Sequence, residues 1–203
     1  MAFSTNNFRS LADFTDTNII ASIIEVEGGY VNNKDDRGGE TNFGITKDTA
    51  RANGYMGDMR SMTKKDAYDI YYKAYWQKNK CPELAEIHPL LAFHVFDLAV
   101  NGGSGRAGQH LQRLLNVSNR KGQDYADIGA DGVIGNGTLR ALDAFVRRNG
   151  QEGLRNFIIT LVGMQANFYI SITENRPDNE TFMNGWMARA ASKLLLVSEF
   201  LQR

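Results

Sequence analysis

Hydrophobic residues recur at helical spacing along most of the chain. In residues 16–27, Ile20, Ile23 and Ile24 fall on one helical face together with Glu27, and two glycines follow. The same pattern predicts further helices over residues 63–78, 89–100, 106–116, 138–148, 151–174 and 181–202. The spacing therefore predicts a mainly α protein.

Three of these helices carry additional start signals. Asp16 is the predicted N-cap of the first helix, and Thr63 with Asp66 forms a capping-box variant at the start of the second. Residues 89–100 begin with Pro89 and are apolar almost all round, which predicts a buried helix.

A polar, glycine-rich stretch, residues 28–46, separates the first two predicted helices. It predicts a small β-hairpin region with Tyr30, Val31, Phe43 and Ile45 as strand residues. The predicted fold class is mainly α, with this hairpin region after the first helix and an all-α C-terminal half.

Composition and charge exclude several classes of protein. The 203 residues are 42% hydrophobic and 23% charged, which is typical of a globular protein. Cys81 is the single cysteine, so no internal disulfide or cysteine zinc site is expected. The net charge is −3 over residues 1–104 and +3 over residues 105–203, too weak for a nucleic-acid binder. No apolar run approaches about 18 residues, so no membrane insertion is expected.

The end of the first helix is a candidate position for acid catalysis. Glu27 follows the apolar stripe, and a carboxyl group beside the core is partly desolvated. Desolvation disfavours the charged form and raises the pKa, as a general acid near neutral pH requires. Gly28 and Gly29 would let the backbone turn and leave room for a bulky substrate.

The loop that follows supplies further carboxylates. Glycoside cleavage usually needs two carboxyl groups, one protonated and one ionised. Asp36, nine positions after Glu27, is the preferred partner, and Asp35 is the alternative. Thr41 or Asn42 could orient a water or a sugar hydroxyl. These residues alone also fit a solvated helix end followed by a surface turn.

Longer motifs resemble glycoside hydrolase family 108. The run EGGYVN from Glu27 and the run DDRGGETNFGIT from Asp35 resemble that family's signature. The resemblance continues through Tyr75-Trp76, residues 96–101 (FDLAVN), residues 131–135 (DGVIG), and Phe182 with Gly185-Trp186.

This resemblance implies a fold, an activity and a catalytic residue. The family contains N-acetylmuramidases found as phage endolysins and as bacterial secretion-activator proteins. It implies a lysozyme-like fold, with Glu27 as the catalytic glutamate. The spacing of Glu27 and Asp36 also looks like that of tailed-phage lysozymes, whose pattern continues to a threonine. Here that last position is Asn42, and Thr41 lies one residue early.

The expected site needs no metal and no cofactor. Its catalytic residues are Glu27 with Asp36 or Asp35. The expected substrate-binding residues lie on the hairpin and on the later helices: Tyr30, Glu40, Thr41, Asn42, Tyr75, Trp76 and Asn101.

Two domains are expected. Residues 1–105 would form the lysozyme-like catalytic domain, and residues 106–203 a helical region resembling a peptidoglycan-binding domain, either separate or packed with the first as one unit. The expected reaction is hydrolysis of the β-1,4 bond between N-acetylmuramic acid and N-acetylglucosamine in bacterial peptidoglycan. The alternatives are a lytic transglycosylase that uses the same Glu27 and a non-catalytic peptidoglycan-binding module.

The expected setting follows from the same resemblance. Peptidoglycan is the expected partner of a monomeric protein. The N-terminus shows no signal peptide, so we expect synthesis in the cytoplasm and release to the cell wall through a holin. A phage endolysin that causes host lysis fits best, and a bacterial secretion-associated muramidase is the other origin considered.

Four other features of the sequence favour structural roles. Residues 103–108 match GxGxxG but follow a predicted helix, which favours a turn between helices over a nucleotide site. Asp127 and Asp131 match only part of a calcium loop. Asp97, in an apolar helix, is predicted to be a buried, paired carboxylate. The three histidines match no zinc-ligand spacing: His88, His94 and His110.

Overall fold

The computed structural model describes residues 8–32 and 39–201, except for the side chains of Val26 and Glu27. Within these ranges the chain is mainly α, with one small sheet, as predicted. The elements in chain order are α1 (Asp16–Glu27), β1 (Val31–Asn32), β2 (Glu40–Asn42), β3 (Ile45–Thr46), α2 (Lys47–Ala52), α3 (Lys64–Tyr71), a π-helix (Tyr72–Gln77), α4 (Cys81–Ile87), α5 (Pro89–Gly102), α6 (Ser104–Ser118), α7 (Asn136–Glu174) and α8 (Glu180–Phe200). Short 3₁₀ turns lie at Leu11–Asp13, Met59–Ser61 and Pro177–Asn179.

The N-cap of helix α1 lies one residue earlier than predicted. Thr15 is the N-cap, and its side chain accepts a hydrogen bond from the backbone N–H of Asn18. The assignment of Asp16 as the cap was wrong, because Asp16 is already helical. The helix ends at Glu27, where Gly28 takes a positive φ of 77°.

The three strands form an antiparallel sheet in the order β1-β2-β3. Val31 pairs with Thr41, and Thr41 also pairs with Thr46. Two predicted strand residues lie elsewhere, because Tyr30 precedes β1 and Phe43 lies in the β2–β3 turn. Phe43 and its following glycine both have positive φ, as a tight two-residue hairpin turn requires.

The predicted helix over residues 63–78 divides into two segments. Its capping box is confirmed, since Thr63 and Asp66 bond to each other's backbone N–H groups. The α-helix ends at Tyr71 and continues as the π-helix, which sequence periodicity did not predict. Helices α2 and α4 were also missed, because six or seven residues show too little periodicity to distinguish them from loops.

Helix α5 lies at the centre of the core. All residues from Leu90 to Ala99 are buried, which confirms the predicted buried helix. It packs against α4, α6, α7 and the π-helix. His88 is its N-cap, and Nδ1 of His88 accepts a hydrogen bond from the backbone N–H of Leu90. Burying Phe93 and Phe96 contributes roughly 1.5–3 kcal/mol each.

A buried polar cluster joins α5 to the two C-terminal helices. Asp97 is fully buried and forms ion pairs with Arg189, at 2.5 Å, and with Lys193. Gln165 of α7 donates to Asp97 and accepts from Lys193. Burial alone would raise the pKa of Asp97, but the two cations hold it below its ordinary value. The predicted buried and paired state of Asp97 is therefore confirmed.

Helix α7 contains the break that the sequence predicted. Separate helices were expected over residues 138–148 and 151–174, and the backbone leaves helical geometry at Gly150, with φ of 62°. A kink at Gly150 therefore separates α7 into two helical segments, and α8 packs against α7. Within the described residues, no helix combines the length and apolar character that a membrane span requires.

The three histidines make folding stability sensitive to mild acid. Burial lowers the pKa of His88, of His94 and of His110, the last to about 4. Each folded-state pKa lies below the unfolded value near 6.5, so the unfolded state binds the extra protons first. The free energy of unfolding should fall from pH 6.5 to pH 5 by about 1.4 kcal/mol per pH unit for each histidine that stays neutral. Chemical denaturation at these two pH values measures this, and an unchanged free energy would contradict it.

Candidate active site

The end of α1 places the backbone of Glu27 at the edge of the core. Ile23 and Ile24, one turn earlier, are buried. Gly28 and Gly29 are exposed, and a Cβ added to either would meet no atom within 4 Å. The side chain of Glu27 lies outside the described residues. Open space therefore borders the backbone just after this helix end.

The two candidate aspartates, Asp35 and Asp36, also lie outside the described residues. They belong to the connection between Asn32 of β1 and Glu40 of β2, which are paired residues in the sheet. Their roles stay predictions made from the sequence.

Tyr30 and Glu40, two predicted substrate-binding residues, form one cluster with Lys47 and Arg60. The hydroxyl of Tyr30 donates to Oε1 of Glu40 at 3.0 Å. Lys47 Nζ lies 2.8 Å from Oε2 of the same carboxylate. The Arg60 guanidinium lies 5.2 Å from the centroid of the Tyr30 ring. We call these four residues the hairpin cluster.

The hairpin cluster keeps Glu40 ionised. The hydrogen bond from Lys47, and then that from Tyr30, lower the pKa of Glu40 below its ordinary value. A carboxyl group in this state cannot serve as the proton donor, whereas it can accept hydrogen bonds from a sugar. Glu40 therefore fits the binding role predicted for it better than a catalytic one.

The sequence reading missed Lys47 and Arg60. Lys47 follows from the sheet register, because Thr41 pairs with Thr46 and the next positions outward are Glu40 and Lys47. A register predicted in advance would have found it. Arg60 comes from a 3₁₀ turn that no local pattern relates to the hairpin.

Thr41 and Asn42 differ in their exposure. Thr41 is half-buried on β2. Asn42 is buried, and its side-chain amide donates to the carbonyl of Met59 at 2.7 Å. Asn42 thus connects β2 to the Met59–Ser61 turn, and the predicted contact with substrate does not fit its position.

The two aromatic residues predicted on the π-helix, Tyr75 and Trp76, also differ in their exposure. Tyr75 is half-buried, with a ring 5.8 Å from that of Tyr71, and burial raises its pKa. Trp76 is only 3% exposed, and its ring packs edge-on against Phe96 at 5.4 Å. Tyr75 keeps an accessible surface for a sugar, whereas Trp76 belongs to the core, contrary to its predicted binding role.

Asn101 lies at the exposed end of α5. Its amide donates to the backbone carbonyl of Asp97 at 2.8 Å and to the Asp97 carboxylate at 3.1 Å. Among the described residues, no hydrogen bond connects it to the hairpin cluster. Its predicted contact with substrate stays a prediction.

The glycine run at residues 103–108 serves close backbone packing. A Cβ at Gly108 would clash with the carbonyl oxygen of Gly132, and a Cβ at Gly132 would clash with that of Gly105. Gln112 completes the contact by accepting a hydrogen bond from the backbone N–H of Gly132. The run therefore lets the 131–135 loop lie directly on α6.

Replacing Gly108 by alanine should destabilise the protein by roughly 2–3 kcal/mol, because backbone must move to admit the methyl group. Gly105→Ala is the matched control, since a Cβ there meets nothing within 4 Å and alanine favours the helix. Denaturant unfolding of both variants measures this. Equal stability for the two would contradict the packing role of Gly108.

The other rival motifs take structural roles too. Asp131 accepts hydrogen bonds from Gln112 and from the backbone of Val133. Asp127 accepts one from Asn119. The described part of the chain contains no group of three His, Cys, Asp or Glu side chains that could hold a metal ion.

Comparison with known families gives two matches. Residues 20–103, which contain most of α1, the sheet and all of α5, match the model described as Glycosyl hydrolase 108. Over these residues the chain is similar to glycosyl hydrolase family 108. Residues 106–191 match the model described as Predicted Peptidoglycan domain. The two matches together support a glycoside hydrolase that acts on peptidoglycan.

A solved structure agrees with this assignment. The structure of Brucella abortus SagA is 25% identical to the chain, with a TM-score of 0.65. The alignment covers 93% of this chain and 96% of that one. No curated protein matches the chain. The family-108 resemblance seen in the sequence is thus confirmed, while the domain division and the site residues stay predictions.

Proposed function

We propose that this protein is a muramidase. It hydrolyses the β-1,4 bond between N-acetylmuramic acid and N-acetylglucosamine, and Glu27 is the general acid. The observation that carries the proposal is the family match over residues 20–103, which contains Glu27 at the end of α1. The exposed glycines after Glu27 and the polar hairpin cluster beside the sheet support it.

In the proposed reaction, Glu27 donates its proton to the glycosidic oxygen as the bond to the anomeric carbon breaks. The departing sugar leaves with a new hydroxyl group. Asp36, or Asp35, stabilises the oxocarbenium-like carbon or activates the water that attacks it. The hydroxyl group of the water joins the anomeric carbon of N-acetylmuramic acid. The remaining proton of the water restores the protonated form of Glu27, directly or through the aspartate. General acid catalysis is worth roughly 10²–10⁴ in rate.

The hairpin cluster would bind the sugar next to the cleaved bond. Its carboxylate accepts hydrogen bonds, and Lys47 and Arg60 donate them. Sugar hydroxyl and acetamido groups both donate and accept hydrogen bonds, so they need donors and acceptors in the protein. Tyr75 would offer a partly exposed ring face to the sugar C–H groups.

Two alternatives predict different products. A lytic transglycosylase that uses the same Glu27 would leave 1,6-anhydro-N-acetylmuramic acid, because no water is added. A non-catalytic peptidoglycan-binding module would release nothing. Both alternatives retain the family and domain matches, so product analysis is needed to separate them.

Mass spectrometry of a sacculus digest tests the proposal. After borohydride reduction, the proposal expects products that end in reduced N-acetylmuramic acid. Products that end in the anhydro sugar, products that end in reduced N-acetylglucosamine, or the absence of soluble products would each contradict it.

Replacing Asp36 by asparagine should lower the hydrolysis rate by roughly 10- to 100-fold. This loss should be smaller than that caused by removing the acid, because other groups share the electrostatic stabilisation of the transition state. The release of reducing ends from sacculi measures this, and Asp35→Asn is the matched variant. A wild-type rate for Asp36→Asn together with an inactive Asp35→Asn would assign the role to Asp35.

The proposal places this activity at the cell wall, beyond the cytoplasmic membrane. The protein would act as a monomer, either as a phage endolysin released through a holin pore or as a secretion-associated bacterial muramidase. A lysis experiment that co-expresses it with a pore-forming holin tests the first setting, and lysis should then require the holin.

A further inference from the structure

A groove with a basic wall runs between α6 and α7. It encloses about 670 Å³ and lies far along the chain from the hairpin cluster. Arg106, His110 and Arg113 line it from α6. No Asp or Glu occurs among the described residues that line it.

The helical spacing of the basic residues gives them one common face. Positions 106, 110 and 113 are separated by four and three residues, so their side chains project toward the same side of α6. With a rise of 1.5 Å per residue, the two arginines are about 10 Å apart along the helix axis. The opposite wall adds hydrogen-bonding groups from α7, namely Thr160, Asn167 and Ser171.

No carboxylate among the described residues neutralises the positive charge in this groove. Arg106 lies over the ring of Phe168 at 3.9 Å. Neither Arg106 nor Arg113 forms an ion pair with a carboxylate in the described part of the chain. Some other surface arginines do, such as Arg120 with Asp124.

His110 lies between Arg106 and Arg113 on α6, and their charges influence its protonation state. Burial, followed by the charges of Arg106 and Arg113, lowers its pKa to about 4, so the ring is neutral near pH 7. The residue is 6% exposed, and its Nδ1 is buried without a hydrogen-bond partner. An unpaired buried N–H is costlier than an unpaired acceptor, so we expect the proton on Nε2. Nε2 of His110 would then be a neutral hydrogen-bond donor between the two arginines of α6.

Gly163 keeps the groove open. It lies in the middle of α7, where glycine is unfavourable for the helix by about 1 kcal/mol relative to alanine. It lines the groove, and a Cβ built there meets no atom within 4 Å. The missing side chain therefore leaves space that no neighbouring residue fills.

We propose that this groove binds the peptide stems of peptidoglycan through their carboxylate groups. Every residue that lines it falls within residues 106–191, the range that matches the predicted peptidoglycan domain. The inference rests on the proposed function in one respect, namely that peptidoglycan is the substrate. It adds the part of the polymer that is recognised and the residues that recognise it.

Charge and shape favour the stem peptide over the glycan strand. The disaccharide repeat carries no net charge once the lactyl group is joined to the peptide, whereas the stem carries several carboxylates. Two arginines about 10 Å apart match carboxylates about three residues apart on an extended peptide. Sugar binding would favour a free aromatic face, but the guanidinium of Arg106 covers that of Phe168.

The test measures binding of the full-length protein to purified sacculi on ice, in the Glu27→Gln background to limit cleavage. Two variants change the groove in independent ways: Arg106→Gln with Arg113→Gln removes its charge, and Gly163→Leu fills its space. Arg140→Gln is the matched control, because Arg140 is an exposed arginine of α7 outside the groove. Gly163→Ala controls for the change in helix propensity.

We expect the double arginine variant to raise the apparent Kd by roughly 10- to 50-fold, as the loss of two charge-assisted contacts implies. Gly163→Leu should raise it comparably, and Arg140→Gln should leave it within about twofold. Sacculi whose stems have been removed by an amidase should bind the parent protein as weakly as intact sacculi bind the double variant. Thermal unfolding of each variant confirms that the fold persists.

Several outcomes would overturn the inference. Unchanged binding of both groove variants would mean that the groove is not used. Strong binding of the parent to stem-free sacculi, still lost in the variants, would mean that the groove recognises the glycan. An equal loss for Arg140→Gln would mean non-specific attraction. The proposed function fails separately, if Glu27→Gln still releases reducing ends, whatever the groove does.

Discussion

Replacing Glu27 by glutamine should abolish nearly all hydrolysis of peptidoglycan. Glutamine has the shape of glutamate but no acidic proton, so the leaving oxygen would depart without protonation. The expected loss is at least about 10²–10⁴ in the rate of reducing-end release from purified sacculi. Stability and binding to sacculi should be unchanged, because glutamine occupies nearly the same volume as glutamate.

Glu25→Gln is the matched control for this substitution. Glu25 is an exposed carboxyl group on the same helix, two residues earlier. We expect this variant to keep activity within a few-fold of wild type. Hydrolysis by Glu27→Gln at the wild-type rate would exclude Glu27 as the acid. Inactivity of both variants with lowered thermal stability would point to a structural defect at the helix end.

Replacing Asp97 by asparagine should destabilise the fold by about 3–5 kcal/mol, the usual cost of breaking a buried ion pair. The carboxylate is fully buried between Arg189 and Lys193. Without it, two buried cations repel each other with no anion between them. For a chain of this length the melting temperature should fall by roughly 6–20 °C, as measured by calorimetry or circular dichroism.

Two further variants make this prediction specific. Asp69→Asn removes an exposed carboxylate that pairs with Lys65 on the same helix, and should cost less than about 1 kcal/mol. Adding Lys193→Met to Asp97→Asn should recover part of the stability, because it removes one of the unpaired buried charges. A melting temperature of Asp97→Asn equal to that of Asp69→Asn would show that the buried cluster does not hold α5 to α7 and α8.

Residue spacing predicted the parts of the fold that repeat over several turns. The long helices, the buried character of α5 and the break at Gly150 all follow from patterns that extend over at least ten residues. The π-helix does not follow from such a pattern. The extra residue in its turn depends on how Tyr71 and Trp76 pack against Phe96. The turn at Phe43 was missed for a related reason, since a bulky residue rarely adopts a positive φ.

The candidate site was predictable where its residues belong to one sequence motif. Tyr30 and Glu40 were named from their motif, and a hydrogen bond joins them. Their partner Arg60 depends on tertiary folding, which no spacing reveals. Sequence motifs also cannot separate binding from packing, which is why Asn42 and Trp76 were chosen as binding residues although both are buried.

The basic groove shows a different limit. Its residues come from two helices about fifty positions apart, and the sequence shows only a weak excess of positive charge in the second half. Helical spacing places Arg106, His110 and Arg113 on one face, yet it does not show that this face borders an open groove. The absence of carboxylates from its described lining becomes visible only once α7 is placed beside α6.

The role of Glu27 as the acid can be examined in a crystal structure of the Glu27→Gln variant with a bound peptidoglycan tetrasaccharide. We expect the side-chain amide of residue 27 to lie about 3 Å from a glycosidic oxygen that links N-acetylmuramic acid to N-acetylglucosamine, with an aspartate of the β1–β2 connection facing the anomeric carbon. A sugar chain bound elsewhere, with residue 27 directed into solvent, would contradict it.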